Sequence, residues 1–304
     1  MQFDLSIFAI ILIVYGIVRS TLFFKKTGNF VYIVAVAILV VLISNSWIEM
    51  YGGRVGEMYK SYSAVFNAIP LGIFLAYLYL ESMRKKEREE KEKTRTFFSK
   101  YVSENVIDKL MSEKEIGVGG HRQEVSILYT DVRGFTSLSE QLPPEEVVRS
   151  LNEHFNVLTE IAFKHGGTVD KFIGDAVMVI FGAPVVHKDH ALRAVRCGIE
   201  MQRKIADLNE QLRKKGRPEM PIGVSINTGI AIIGNIGSDK FMDYTAVGDT
   251  VNTASRLQNA AGAGEVAISE STYKAVKNAV KIVKKDQITV KGKDKPLIVY
   301  KVKV

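Results

Sequence analysis

From Thr27 to Ile48 the chain carries no charged residue and is dense in Val, Ile, Leu and Ala. A helix over that stretch is long enough to cross a hydrocarbon core of about 30 Å. This run predicts a membrane segment and forces the chain to be read as two unlike halves. Ser61 to Leu80 is a second uncharged stretch. Asn67 and Pro70 weaken it, but a helix in lipid tolerates proline when neighbours satisfy the freed backbone group. Leu5 to Val18 is shorter and bounded by Asp4 and Arg19. It spans, lies at the interface, or crosses with Arg19 reaching back to the headgroups. Residues 1–80 are therefore expected to hold two to three transmembrane helices, at about 5–24, 27–48 and 61–80. No Lys or Arg precedes the first apolar run and no small-residue cleavage pattern follows it, so a cleaved signal peptide is not expected.

Charge sets the orientation. Arg19, Lys25 and Lys26 precede the strong span, and Arg84, Lys85 and Lys86 follow the last one. Both sets belong on the cytoplasmic side. The loop between, Glu49 to Lys60, mixes Glu49 and Glu57 with Arg54 and Lys60 and belongs outside, with Trp47 and Tyr51 as interface anchors. The expected localisation is an integral inner or plasma membrane protein whose C-terminal half is cytoplasmic. A net charge of +8 suits an anionic membrane face or a polyphosphate substrate. Nucleic acid is not an expected partner, since no zinc-finger spacing or aromatic-interleaved basic run is present. The single cysteine, Cys197, excludes an intrachain disulfide and a four-thiolate metal site, and reads as a buried small residue.

Residues 81–115 form a connector. Glu81 to Met111 contains no Gly or Pro and opens on RKKEREEKEK, then continues into Phe98, Tyr101, Val102, Val106, Leu110 and Met111 at spacings of three and four. That pattern predicts an amphipathic helix, either a stiff spacer or one of a pair that passes membrane rearrangements onward.

In residues 116–304 the pattern becomes strand, helix, strand, strand, helix, strand. Glu124 to Asp131 reads as a buried strand and Pro144 to His165 as an amphipathic helix. Gly167 to Phe172 and Ala176 to Phe181 read as strands around a turn at Ile173-Gly174-Asp175. Asp189 to Lys214 is a second helix, and Pro221 to Asn227 a further strand. The expected fold class is α+β: a ferredoxin-like antiparallel sheet with helices on one face, preceded by the transmembrane helices and the connector. In such a sheet the first and third strands are antiparallel neighbours. Asp131, ending the first, and Asp175, beginning the third, then meet at one edge, with Gly134 letting the backbone approach a ligand. Two unpaired carboxylates repel, and a hard divalent cation resolves the repulsion. The alternative is that Asp131 caps the following helix and Asp175 serves only the turn. His187 and His190 suggest a metal pair, but no further ligand cluster follows them and an exposed loop is the better reading.

Three segments, LYTDVRGFTSLSE, GGTVDKFIGDAVMVIFGAP and DYTAVGDTVNTASRLQ, closely resemble the class III nucleotidyl cyclase domain, in order and on the expected elements. The resemblance covers roughly Phe98 to the C-terminus. It implies an adenylate cyclase that turns ATP into 3′,5′-cyclic AMP and pyrophosphate in a homodimer with composite active sites. By resemblance, Asp131 and Asp175 hold two divalent metal ions per site, Mg²⁺ or Mn²⁺, and the backbone at Val132, Gly134, Phe135 and Thr136 cradles the triphosphate. Lys171 and Thr245 match positions that contact the base, and Lys291 matches a lysine that grips the terminal phosphates. Asn252 and Arg256 match residues that orient the ribose and stabilise the transition state. They are four apart in a helix started by Asp249, so they share one face.

Many members of the family carry aspartate where this chain has Thr245. The threonine form is similar to a bacterial subgroup often associated with bicarbonate stimulation. Guanylate-selective members resemble Glu and Cys at the two base positions, which favours ATP here. A guanylate cyclase and a non-catalytic, cyclase-shaped membrane sensor are the competing readings. A diguanylate cyclase lacks support, because the Gly-Gly-Asp/Glu-Glu-Phe signature is absent from the turn.

Overall fold

A computed structural model describes residues 54–112, 117–289 and 296–304, with side chains from residue 76 onward. The chain divides into two units, 1–94 and 95–304. The expected spans at 5–24 and 27–48 lie outside the described residues. The third, at 61–80, falls on helix α1 (Arg54–Phe98), largely at positions whose side chains are not described. Among the described residues no helix is long and apolar enough to cross a membrane. The charged stretch of α1 is exposed, and Glu87–Lys91 at 2.7 Å and Lys85–Glu89 at 4.0 Å pair one turn apart, the spacing that favours helix.

The single amphipathic helix expected over Glu81 to Met111 is interrupted. The Tyr101 and Val102 amides donate back to the Phe98 carbonyl, and a second helix, α2 (Glu104–Ser112), follows. Beyond the break Val106 and Ile107 are buried, at 3% and 8% exposure, and Arg95 pairs with Asp108 at 2.8 Å. Burying one such side chain contributes about 1.5–3 kcal/mol, which outweighs the lost turn of helix.

The second unit is built on a sheet of β1 (Gly119–Val132), β2 (Thr168–Ile173), β3 (Ala176–Phe181), β4 (Ile222–Ser238), β5 (Phe241–Val247), β6 (Val266–Ser269), β7 (Ile282–Ile288) and β8 (Leu297–Val302). Its helices are α3 (Phe135–Gln141), α4 (Pro144–Lys164), α5 (His190–Lys214), α6 (Asp249–Leu257) and α7 (Glu270–Val276). The strand order β2-β3-β1-β4 is the ferredoxin-like core, extended by β6-β8-β7, with β5 paired to β4 off that path.

Two expectations need correction. The sheet is not wholly antiparallel: β4 and β6 are parallel, joined by a crossover through β5 and α6. The helices are not all on one face. Leu158 and Ile161 of α4, and Val195, Met201 and Ile205 of α5, pack with Leu128, Val132, Val177 and Val179 on one face. Ala254 of α6 packs with Val125, Ile127, Tyr129, Met178 and Ile180 on the other. Side chains alternate across a strand, so β1 and β3 feed both cores, and this is why Ala176–Phe181 is apolar at every position and buried throughout.

Candidate active site

Antiparallel pairing of β1 with β3, Thr130 opposite Val177, brings the end of one strand to the start of the other. β2 and β3 close through a two-residue turn, Gly174-Asp175, between the paired Ile173 and Ala176. Gly174 has φ 61, a left-handed value that glycine takes without steric cost at the first central position of a tight hairpin. The turn delivers the Asp175 carboxylate to the Val132 N–H, which donates to it at 3.0 Å. Asp131 stands beside it. Burial pushes the Asp131 carboxyl above its ordinary range; the Arg133 guanidinium, 2.7 Å away, pulls it back, and the charge of Asp175 and a hydrogen bond with it raise it further. Asp131 thus pairs with Arg133, which also donates to the Gln258 carbonyl at 3.0 Å, and Asp175 adds a second carboxylate beside it. The surplus negative charge and the hard oxygen donors fit a divalent cation of the magnesium type, which is typically bound by one or two carboxylates together with phosphates and water.

The loop after Asp131 presents fewer amides than its length suggests. The Val132 N–H is committed to Asp175, and the Arg133 N–H donates to the Pro221 carbonyl at 2.8 Å. Gly134, at φ 75, turns the chain into α3, and the Phe135 and Thr136 amides lie in its first turn, where no intrahelical acceptor exists.

Helix α6 is tied to β4 on the same sheet face as Tyr129. Thr250 Oγ1 donates to the Ile230 carbonyl at 2.6 Å, Asn227 donates to the Thr250 carbonyl at 2.8 Å, and Ser225 to the Ala254 carbonyl at 2.9 Å. With Thr253, Ala254 and Leu257 buried, Asn252 is exposed and Arg256 half-buried, one turn apart.

Lys171 and Thr245 belong to a separate cluster. On β5, Asp243 and Thr245 are two apart and share a face. On β2, the register slips between Val169 and Lys171, so that Asp170 is the extra residue of a β-bulge. Neighbouring strand residues ordinarily face opposite ways, yet here both reach β5: Lys171 Nζ donates to Asp243 Oδ2 at 2.8 Å, and Thr245 Oγ1 donates to Asp170 Oδ2 at 2.6 Å. Burial opposes the Lys171 charge, but the Asp243 hydrogen bond and the charges of Asp170 and Asp243 outweigh it and hold the ammonium above its ordinary value. Lys171 and Asp243 line a groove of about 1330 Å³ that is also lined by Tyr101 and Val106 of the connector and Phe155 of α4. Among the described residues no hydrogen bond or ion pair joins this cluster to Asp131 and Asp175. Lys291 lies outside the described residues.

Residues 119–303 match the family of the adenylate and guanylate cyclase catalytic domain. The chain belongs to this family. Among curated relatives it is 35% identical over 208 residues to adenylate cyclase 1 of Rhizobium meliloti (strain 1021), covering 67% of this chain and 31% of that protein. It is 31% identical over 225 residues to the adenylate cyclase of Anabaena cylindrica, covering 69% of this chain and 43% of that protein. The chain therefore spans less than half the length of either relative. Among solved structures, the adenylyl cyclase CyaB from P. aeruginosa superposes with a TM-score of 0.59 at 42% identity, covering 62% of this chain and 97% of that one. The guanylyl cyclase Cya2 does so with the same TM-score at 41% identity, covering 61% and 94%.

Asp170, Asp243 and Arg133 of this cyclase domain were not singled out by sequence reasoning. Each partners a residue that was, and the signal in the sequence is proximity: Asp170, Arg133 and Asp243 lie within two residues of Lys171, Asp131 and Thr245 respectively. His190 is not in an exposed loop: it opens α5, half-buried, with Nδ1 2.9 Å from Ser126 Oγ. Cys197 is fully buried, and burial pushes its thiol far up, so it packs rather than reacts.

Proposed function

We propose that this chain is a membrane-anchored adenylate cyclase that converts ATP to 3′,5′-cyclic AMP and pyrophosphate, active as a homodimer with its catalytic domain on the cytoplasmic side. The observation that carries the reading is the juxtaposition of Asp131 and Asp175 at one sheet edge, with Lys171 and Thr245 gathered separately by β2 and β5. A phosphate-end site and a base-end site in separate clusters of one chain suit two sites built across a two-fold axis.

Asp131 and Asp175 would hold two divalent ions, Mg²⁺ or Mn²⁺, which when bound neutralise phosphate charge and make the ribose hydroxyl more acidic. The chain's own groups do the rest. The Gly134, Phe135 and Thr136 amides and Lys291 hold the triphosphate, and Lys171 and Thr245 hold the base. Asn252 orients the ribose so that its 3′-oxygen lies in line with the α-phosphate. Arg256 places positive charge where negative charge grows on that phosphate. The non-catalytic reading is disfavoured because both acids and the arginine are present. Structural similarity alone does not choose the base, since an adenylyl and a guanylyl cyclase are equally close, but both curated relatives named above are adenylate cyclases, which favours ATP; a guanylate cyclase of the same mechanism is the second reading. Membrane anchoring rests on the uncharged runs before Leu80 and the basic residues that flank them.

Incubating the purified full chain with ATP or GTP and Mg²⁺ or Mn²⁺, and separating products by chromatography, tests the activity. Cyclic AMP from ATP is the expected product; cyclic GMP alone would install the second reading, and no cyclic nucleotide with either substrate would leave the sensor reading.

The connector supplies a further prediction. Its Tyr101 and Val106, beyond the break after Phe98, line the groove that contains Lys171, so a shift of α1 passed across that break would reach the base-end residues. Four residues inserted after Lys93 displace the remainder of the helix by about 6 Å and rotate it by about 40°. Cyclic AMP production by the full chain should change severalfold, and an unchanged rate would remove the coupling.

A further inference from the structure

We infer that Asp170 is a positioning residue: by accepting the Thr245 hydroxyl proton it leaves that oxygen only its lone pairs, so that the pocket takes a purine with a 6-amino group and refuses one with a 6-oxo group. This rests on the reading of Lys171 and Thr245 as the base pocket and goes beyond it, because a threonine hydroxyl by itself both donates and accepts and does not choose between adenine and guanine.

The geometry is specific. Thr245 is 7% exposed, and its Oγ1–Oδ2 distance of 2.6 Å to Asp170 is that of a charge-assisted hydrogen bond. A hydroxyl has one proton. Once that proton is held by the carboxylate, the oxygen accepts from an amino group and has nothing to offer a carbonyl. Lys171 is the complement. Its ammonium, tethered to Asp243, only donates, which suits the unprotonated N1 of adenine and opposes the N1–H of guanine or hypoxanthine. The β-bulge at Asp170 makes the pair possible, since without it Asp170 and Lys171 would face opposite sides of the strand.

The groups packed around Asp170 are Tyr129 on β1, Lys171 on β2, and Asp243 and Thr245 on β5. Burial raises the Asp170 carboxyl, the Thr245 hydrogen bond and Lys171 lower it, and Asp243 raises it, to about 6. The Tyr129 phenol is pushed to about 12, first by burial and then by the Asp170 charge, so it stays protonated across the working range. Above about pH 7 Asp170 is ionised and accepts. Below about pH 6 it binds a proton, the Thr245 hydroxyl is released to donate, and discrimination weakens. For folding the sign is the reverse. A carboxyl whose pKa is raised in the fold favours the native state at low pH, and that stabilisation is lost as pH rises from the ordinary carboxylate range through about 6. Removing the charge is therefore not expected to unfold the domain at pH 8.

ATP and ITP carry the same triphosphate and differ in the base at position 6 and in the protonation of N1, so the ratio of their kcat/KM values isolates the pocket. The wild-type full chain should prefer ATP at pH 8, and Asp170→Ala should shift the ratio toward ITP by about tenfold or more, the size expected when one hydrogen bond at a buried partner is remade. In the wild type the ratio should fall as pH is lowered from 8 to 5.5. A ratio unmoved by Asp170→Ala, or flat with pH in the wild type, overturns the assignment of Asp170. Thr245→Val separates the two levels: if it shifts the ratio while Asp170→Ala does not, the base pocket stands and Asp170 is not its positioning residue. If Thr245→Val leaves the ratio unchanged as well, the base-pocket reading itself fails.

Discussion

Asp175→Asn should reduce cyclic AMP formation by the full chain by about a thousandfold or more while leaving its melting temperature nearly unchanged, because the ions it would help hold in the proposed mechanism supply several kcal/mol of charge stabilisation. Asparagine keeps an oxygen in place for the Val132 N–H, so the turn retains its hydrogen bond but loses its charge. Asp175→Ala should be as inactive and less stable, by about 1–3 kcal/mol, since it leaves the Val132 amide without its acceptor. The comparison separates chemistry from scaffold. Turnover of Asp175→Asn within a few-fold of wild type, with Mg²⁺ and with Mn²⁺, would remove the metal-site assignment.

The second large effect is complementation. Arg256→Ala alone should lower kcat by about 10²–10³ with a smaller change in KM, the signature of a donor that acts on transition-state charge. Coexpressed in equal amounts with Asp175→Asn chains, it should recover activity that neither variant has alone. In a heterodimer of the two, one composite site collects both damaged residues and the other collects none. With random pairing half the dimers are mixed and half their sites intact, so about a quarter of wild-type activity is expected for a two-fold symmetric dimer. The sum of the two residual activities, with dimers confirmed by sedimentation, would show instead that each chain builds its own site.

The acidic pair is legible in the sequence because it rests on two regularities. An apolar run ending in Asp131 and an apolar run beginning after Asp175 are recognisable as strands, and the ferredoxin-like order makes those strands antiparallel neighbours. Asn252 and Arg256 are legible through the motif they share with the cyclase family, and helical spacing adds only that they lie on one face. The partners of these residues are not. Arg133 sits in a loop whose direction is set by contacts with Pro221 and Gln258, far along the chain. The continuous helix expected over the connector failed because its spacing is right on both sides of the break, and periodicity does not register where a tertiary contact interrupts it.

The sequence alone determined the class of domain, the order of its core elements and the carboxylate pair, since each follows from local periodicity and from the few ways four strands and two helices can close one core. It also holds the two uncharged stretches on which the proposal of membrane attachment rests. Tertiary structure alone decided that α6 covers the second face of the sheet, that β6 joins β4 in parallel, and that a one-residue slip in β2 turns Asp170 toward Thr245. The physical reason is range: strand and helix periods are written in neighbours, whereas a bulge, a crossover and a buried carboxylate's partner are settled by packing between segments distant in the chain.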